Sequence, residues 1–361
     1  METSVELSVR TIHKLPEELW LKILRLACGI ADFDHAPKLM SFPVALVTKK
    51  NLRKRMIFQR RIISVCKVWY RIALPCLYEE IAIMDVSGLP KIAKILPENP
   101  LGRYTKRLDY FVNGLVDNDA FLDVLGCLTN LRIVRIDSPN FRLPTSVWNR
   151  ILALPNLRVL HAPYRLSLSG HTFTPRSSTL QAMTYPLFDR QPDIAVDQHS
   201  HSALLNLSQL YFPYRFNYDF NTYSRRALQS VTSIIIGYRY DDPYAQLLNG
   251  VCPLLPSLKY IGIQANTFHS CLYRWTIDGY SLDIPSSVHT LGLTFQQPNA
   301  RTHTYRALCQ SLRQLHGGGL KVIRLGAQTV LDLRSRPAAA ALVEDTLRAK
   351  GWRLEVGDMR I

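Results

Sequence analysis

The cysteine and histidine residues are the first candidates for catalysis or metal binding in this sequence. Its seven cysteines are odd in number, are scattered along 361 residues and never form a C-x-x-C pair. That pattern indicates reduced, mostly buried thiols rather than a disulfide framework or a zinc site. His199 and His201 are separated by one residue, but no cysteine or acidic cluster nearby has ligand spacing. We therefore predict no metal site.

The sequence also lacks the motifs of common catalytic and nucleotide-binding loops. It contains no G-x-x-x-x-G-K-[ST], G-x-G-x-x-G, H-E-x-x-H or G-x-S-x-G. Three consecutive glycines, residues 317–319, follow a predicted helix and precede a predicted strand. This order is the reverse of a phosphate-binding loop, so we interpret the glycines as a helix stop. We predict a chain that is not an enzyme and that needs no cofactor.

The net charge of +16 favours an anionic partner, which could be an acidic protein, nucleic acid or a membrane surface. The excess is dispersed: residues 1–84 carry 14 basic and 8 acidic side chains, and the remaining residues carry 30 and 20. Dispersed charge is more typical of general solubility than of a nucleic-acid footprint. Nucleic acid is therefore the less favoured partner.

Composition and hydropathy indicate a globular protein without a membrane span. Apolar residues make up 47% of the chain and charged residues 20%. No apolar run approaches the roughly 18 residues that a membrane helix needs. The acidic N-terminus resembles neither a secretory signal nor a transit peptide. We expect a cytoplasmic or nuclear protein, with no membrane partner.

The elements that position the charged residues are predicted by a repeat that begins beyond Pro100. The pattern apolar-x-x-apolar-x-apolar recurs nine times, at steps of 23 to 32 residues, and helical patterns lie between most copies. A closing strand is predicted over 352–356, and an exposed loop over 163–203. The nine copies begin at Thr105, Leu131, Leu157, Leu180, Leu207, Val231, Leu258, Val288 and Leu320.

Strands and helices that alternate at this period resemble a leucine-rich-repeat solenoid, here over residues 101–361. The resemblance implies an α/β fold with parallel strands on the concave face and helices outside. Only Asn266 matches the Asn or Cys that the family places after its strand, so the repeats are divergent and irregular. The alternative is a doubly wound α/β sheet, which would need longer crossovers and a glycine-rich turn.

The x positions of the nine strand units are predicted to face the open side of the solenoid. These 27 positions contain eight basic residues and one acid, Asp109, where average composition would give about three and two. Arginine clusters bind carboxylates and phosphates, so we expect an acidic or phosphorylated protein segment as substrate, unless this is ordinary surface charge. The candidate substrate-binding residues are Lys106, Arg107, Arg132, Arg135, Arg158, Tyr211, Lys259, Tyr260, Lys321 and Arg324.

The N-terminal segment, residues 1–84, is predicted to be helical. A helix should begin at Pro16, and its apolar residues form two adjacent stripes, which must be covered on both sides. A second helix is predicted from about Asn51 to before Pro75. Its basic start is interpreted as a solvated helix face, with a nuclear-import signal as the alternative.

Three motifs in this segment together resemble the F-box, in the form found in fungal F-box proteins. They are Leu15-Pro16-x-Glu18-Leu19-x-x-x-Ile23-Leu24, then Ser64-Val65-Cys66-Lys67-Val68-Trp69-Tyr70, and finally Pro75-x-Leu77-Tyr78. The resemblance covers residues 15–81. An insertion at about 29–61 is longer than a compact F-box requires, and it leaves the course of the middle helix open.

The F-box resemblance implies docking on the Skp-type adaptor of an SCF-type ubiquitin ligase, and through it on a cullin scaffold. The repeats would then recognise the target protein. The alternatives are a repeat scaffold or adaptor with no ligase role, and a basic nucleic-acid-binding protein. The residues implied at the adaptor interface are Leu15, Pro16, Leu19, Ile23, Leu24, Val65, Cys66 and Trp69.

Overall fold

The computed structural model of the chain describes the N-terminal helices and most of the repeat array. Predictions for His199, His201, Asn266, most of the insertion and most of the loop 163–203 lie outside these residues. The described residues are 15–28, 49–112, 117–137, 144–162, 165–166, 177, 179–184, 187–188, 206–212, 228–237, 248, 251–265, 284–295 and 302–356.

Eleven parallel strands form one sheet whose strand order follows the sequence. All nine predicted repeat units and the predicted closing strand belong to it. A doubly wound sheet reverses its strand order, and this sheet does not. The fold is α/β, consistent with a leucine-rich-repeat-like solenoid. The strands are β1 (Glu80–Ile83), β2 (Arg107–Tyr110), β3 (Ile133–Ile136), β4 (Val159–His161), β6 (Ala182–Thr184), β8 (Gln209–Phe212), β9 (Ser233–Gly237), β10 (Tyr260–Ala265), β11 (Thr290–Phe295), β12 (Val322–Leu325) and β13 (Arg353–Val356); β5 (Arg165–Leu166) and β7 (Leu187–Phe188) pair separately.

Helices flank the sheet on both faces. The described helices are α1 (Glu17–Ala27), α2 (Lys49–Ile63), α3 (Lys67–Glu79), α4 (Gly88–Glu98), α5 (Asn118–Cys127), α6 (Thr145–Leu152), α7 (Thr302–Gln314), α8 (Ala327–Arg334) and α9 (Pro337–Ala349), with 3-10 turns at Pro100–Tyr104 and Cys252–Leu254.

The main hydrophobic core lies between the sheet and the helices from α4 onward. Side chains alternate between the two faces of a strand, so the second and third apolar positions of each repeat point to the same side. Val134 and Leu160 are examples, and both are fully buried. They pack in one cluster with apolar side chains of the helices, such as Phe121 in α5 and Leu308 in α7.

A row of small polar residues joins successive repeats just before the first apolar position. Seven of the nine copies have Asn, Ser or Thr there. Asn130 Nδ2 donates to the carbonyl oxygen of Arg103 at 2.7 Å, and Ser230 Oγ donates to that of Leu207 at 2.7 Å. Backbone groups in the turns are thus satisfied by a different residue from the Asn or Cys of the regular family pattern.

The sheet begins earlier than the predicted repeat region. Strand β1 pairs in parallel with β2, and α4 buries Leu89 and Leu96 in the main core. The strand has only four residues and lies directly after α3. Pro97, inside α4, obscured the helical pattern. Residues 80–98 therefore extend the α/β array toward the N-terminus.

The predicted second helix begins close to the predicted start but is two helices, and the second of them ends later than predicted. The helix is interrupted at residues 64–66. There, Cys66 Sγ accepts a hydrogen bond from the Trp69 backbone N–H at 3.5 Å and caps α3. Helix α3 continues past Pro75, which has no N–H to donate to the Arg71 carbonyl. On α2, Arg53 and Arg60 are exposed, as a solvated helix face requires.

Helices α1, α2 and α3 supply a second hydrophobic cluster. Leu24 from α1, Ile62 from α2 and Cys76 from α3 belong to it, together with side chains from the opposite face of the sheet, such as Ile133 and Val159. These strand residues are x positions of the repeat. The N-terminal helices therefore pack on the face that the sequence predicted to be open.

Candidate functional site

The two apolar stripes of α1 have different environments. Leu24 is 3% exposed and Cys28 is also buried, and both lie in the second hydrophobic cluster. Leu19 is 46% exposed and Ile23 is 44% exposed, one helical turn apart on the neighbouring stripe, which ends at Leu26. One stripe therefore anchors α1 to the fold, and the other remains accessible.

Helix α3 runs beside α1 in the same direction. Glu17 Oε2 lies 3.8 Å from Arg71 NH2, the rings of Trp20 and Trp69 have centroids 5.7 Å apart, and Arg25 pairs with Glu79. Glu17 and Trp20, near the start of α1, contact the N-terminal half of α3, whereas Arg25, near the end of α1, contacts Glu79 at the end of α3. The N-terminal ends of α1 and α3 are therefore neighbours.

Exposed apolar side chains concentrate in the N-terminal segment. Eight of the twelve exposed large apolar side chains among the described residues lie between positions 15 and 70. A group of this kind typically marks an interaction surface, whereas single exposed apolar residues are ordinary. We call the following set the apolar patch: Leu15, Leu19, Ile23, Leu26, Val65 and Tyr70.

The remaining residues of the expected adaptor interface support the patch or border it. Pro16 is exposed and precedes the first turn of α1, while Leu24 is buried beneath the helix. Cys66 is exposed, but its sulfur caps α3. Trp69 is partly buried against Trp20. Of the eight residues, Leu15, Leu19, Ile23 and Val65 present accessible apolar surface.

Ion pairs join the N-terminal helices to the start of the sheet. Lys106 Nζ lies 3.7 Å from Glu79 Oε1, and Arg55 NH1 lies 3.3 Å from Glu80 Oε2. Burial raises the pKa of the Glu80 carboxyl, while the positive charges of Arg107 and Arg55 act in the opposite direction. This junction was not predictable, because nothing in the sequence pairs residues 55 and 80.

The expectation of an open concave surface is wrong for Arg107, Arg135, Tyr211 and Tyr260, which are all buried. Arg107 Nε donates to Asp109 Oδ2 at 2.7 Å, and Arg107 NH2 donates to Asp109 Oδ1 at 2.9 Å. The two tyrosines belong to the second hydrophobic cluster. Their positions lie on the sheet face that carries the N-terminal helices.

Arg135 forms its own buried contacts on the same face. Its NH2 group donates to Asp137 Oδ2 at 2.6 Å, and its guanidinium carbon lies 4.8 Å from the centre of the Phe111 ring. These contacts are structural, because the arginine side chain is buried. The basic residues at these inner positions therefore neutralise local acids or stack on rings, and a partner does not reach them.

His161 is a buried histidine on this face, and its titration predicts a dependence of stability on pH. Its Nδ1 lies 2.8 Å from Thr184 Oγ1. Burial, followed by the positive charge of Arg135, lowers the pKa of His161 to about 3. The unfolded chain binds this proton below its ordinary pKa of about 6.5, whereas the folded chain stays neutral until about pH 3. The contribution of neutral His161 to the free energy of unfolding is therefore complete above about pH 6.5 and decreases as the pH falls toward 3.

We expect urea unfolding at pH 5 to show a free energy of unfolding about 2 kcal/mol lower than at pH 7 on account of His161. The variant His161→Gln keeps a polar side chain but does not titrate, so its loss over the same pH range should be smaller by that amount. Equal pH dependence of the two proteins would contradict the assignment.

The other candidate substrate-binding residues remain at least partly accessible. Arg324 is half-buried, with NH2 2.7 Å from Glu355 Oε2. The other five lie immediately before β-strands, at one end of the sheet: Lys106, Arg132 and Arg158 are partly exposed, and Lys259 and Lys321 are exposed. The structure thus divides the ten candidates into a buried set and an accessible set.

The described part of the chain contains neither a cluster of metal-ligating side chains nor a membrane-spanning helix. No group of three or more histidine, cysteine or acidic side chains there could hold a metal ion. Within the same residues, no helix combines the length and the apolar character needed to cross a membrane.

No protein-family model and no curated protein matches this chain.

Proposed function

We propose that this chain is an F-box protein, the substrate-recognition subunit of an SCF-type ubiquitin ligase. The apolar patch docks on the Skp-type adaptor, and the adaptor connects the chain to a cullin scaffold. The repeat array binds the target protein. The observation that carries this proposal is the exposure of Leu19 and Ile23 on a helix whose other stripe is anchored in the fold.

The energetics of the patch support a protein partner. Burying one leucine or isoleucine side chain contributes about 1.5–3 kcal/mol, and a few such anchors dominate a typical interface. Leu19 and Ile23 are exposed on α1, and the exposed Leu15 and Val65 lie just before α1 and α3, two helices that contact each other. Their burial against a partner would contribute several kcal/mol, which offsets part of the cost of association.

The connection between the two parts supports a role in substrate positioning. Glu79 and Glu80 link the helices to the sheet through ion pairs with Lys106 and Arg55. A target held by the repeats would therefore keep a defined position relative to the adaptor. Proximity raises the effective concentration of the target lysines without a catalytic group on this chain. Such a complex would act in the cytoplasm or nucleus.

The double variant Leu19→Asp/Ile23→Asp is expected to lose adaptor binding by at least about a hundredfold, because both anchors become charged. Asp at position 19 lies in the first turn of α1, where a negative charge is tolerated. The measurement is co-purification of the Skp-type adaptor with the full chain. The matched control is Leu331→Asp on α8, where the leucine is 57% exposed and remote in sequence from the patch.

Unchanged co-purification by the double variant would contradict the adaptor assignment and would favour a repeat scaffold without a ligase role. An equal loss in the Leu331→Asp control would show that the effect is not specific to the patch. Circular dichroism on both variants verifies that the α/β array remains folded.

A further inference from the structure

Nine residues, one from each repeat, lie in register where the strands begin. Each residue after the first, Lys106, donates its backbone N–H to the carbonyl oxygen of the residue before it in the row, with N···O distances from 2.8 Å, between Arg132 and Lys106, to 3.0 Å, between Lys321 and His289. These bonds place the nine residues on neighbouring strands in a continuous line. We call this row the edge ladder: Lys106, Arg132, Arg158, Gln181, Ser208, Thr232, Lys259, His289 and Lys321.

The composition of the edge ladder differs from that of the chain. Five of its nine residues are lysine or arginine, a sixth is histidine and none is acidic. The chain average predicts about one basic residue among nine. The basic residues occupy the two ends of the row, and the middle, from Gln181 to Thr232, is neutral.

The C-terminal end of the ladder is exposed, and the N-terminal end is partly exposed. Lys259, His289 and Lys321 are exposed on three successive strands, and Arg158 is partly exposed at the other end. Among the described residues, an ion pair with an acid is present at Lys106, with Glu79 at 3.7 Å. Like charges on neighbouring strands repel each other. An anionic partner would remove this repulsion.

We propose that the edge ladder binds an extended acidic segment of the target protein. This inference rests on the proposed function, because it specifies the class of substrate that the repeats recognise. Eight strand-to-strand steps of about 4.8 Å make the ladder about 38 Å long, which corresponds to about twelve residues of extended polypeptide. Four steps, or about 19 Å, separate Arg158 from Lys259. A segment with acidic residues at both ends and a neutral centre therefore matches the charge pattern.

A polypeptide fits the ladder better than nucleic acid does. Proteins that bind single-stranded nucleic acid combine basic residues with exposed aromatic rings on which bases stack. The ladder has no phenylalanine, tyrosine or tryptophan. The nearest strand tyrosines of the predicted binding set, Tyr211 and Tyr260, are buried. The neutral centre also interrupts the continuous charge that a phosphate backbone would use.

The test is fluorescence anisotropy of the full chain with a labelled twelve-residue peptide that has three glutamates at each end and six Gly or Ser between them. We expect Lys259→Glu/Lys321→Glu to weaken binding at least about tenfold, and added salt to weaken binding to the unchanged chain. A peptide with all six glutamates at one end should bind about tenfold more weakly than the two-ended peptide, since it reaches one charged end.

The matched control is Lys94→Glu/Arg306→Glu, which changes the net charge equally at exposed basic residues outside the ladder. Binding that is unaffected by the ladder variant, or reduced equally by the control, would overturn the proposal. So would tighter binding of a twelve-nucleotide single-stranded DNA than of the peptide. The ladder variant should still co-purify the adaptor, and Leu19→Asp/Ile23→Asp should still bind the peptide. Failure of the ladder is therefore distinguishable from failure of the proposed function.

Discussion

Replacing Asp109 with alanine is expected to lower the free energy of unfolding by about 3 kcal/mol, measured by urea denaturation at neutral pH. Arg107 is 2% exposed, Asp109 is fully buried, and the two form a pair of parallel hydrogen bonds. The alanine variant leaves the guanidinium buried without this carboxylate. Glu80 is another acidic neighbour of Arg107, but Arg55 already pairs with Glu80.

The double variant Arg107→Met/Asp109→Leu is the matched control, because it removes both charges and keeps apolar side chains of similar length. We expect its free energy of unfolding to lie within about 1 kcal/mol of the unchanged protein. Destabilisation of the double variant by as much as the single variant would mean that the ion pair itself, and not the unpaired charge, supplies the stability.

The strand units were predictable because their signal is local and repeated. In the copies that begin at Leu131, Leu157 and Leu258, the spacing of the apolar residues alone identifies which side chains enter the core. Nine similar units constrain one another, since a parallel strand buries its core face only when its neighbours do. The same argument fails for β1, which has four residues and lies directly after a helix.

The occupancy of the opposite sheet face was not predictable, because it depends on where the N-terminal helices pack. The sequence shows two apolar stripes on α1 with no indication of which one is buried. Leu24 contributes to the sheet-facing cluster and Ile23 does not, although the two residues are adjacent and chemically similar. Arg135 is buried on that face, although its position in the repeat was predicted to be open.

Part of the candidate site was predictable from residue types. Leu15, Leu19 and Val65 were expected at an interface and carry accessible apolar surface. For the repeats, the excess of basic residues was visible in the sequence. That count, however, treated the three x positions of each repeat unit as equivalent. The structure separates these positions. Arg158 and Lys259 occupy the first x position, at the accessible start of the strand, whereas Arg107 occupies the second x position, within the strand, and is buried.

The Gly317–Gly319 turn gives a second large expected effect. A Cβ atom at Gly319 would lie 1.8 Å from the Ser286 carbonyl oxygen and 2.7 Å from its carbon. These are backbone atoms of the turn that leads into β11, so the clash cannot be relieved by a rotamer change. We expect Gly319→Ala to lower the free energy of unfolding by about 3 kcal/mol or more, measured by urea denaturation.

Gly318→Ala is the control for that substitution, because no atom lies within 4 Å of its Cβ position and the backbone there does not need glycine. It should leave stability unchanged or raise it by up to about 1 kcal/mol, since alanine restricts the unfolded chain. Gly319 approaches the preceding repeat, and so the difference between two adjacent glycines measures how closely successive repeats stack. Similar effects of the two substitutions would mean that helix termination, and not close packing of the repeats, explains the glycine run.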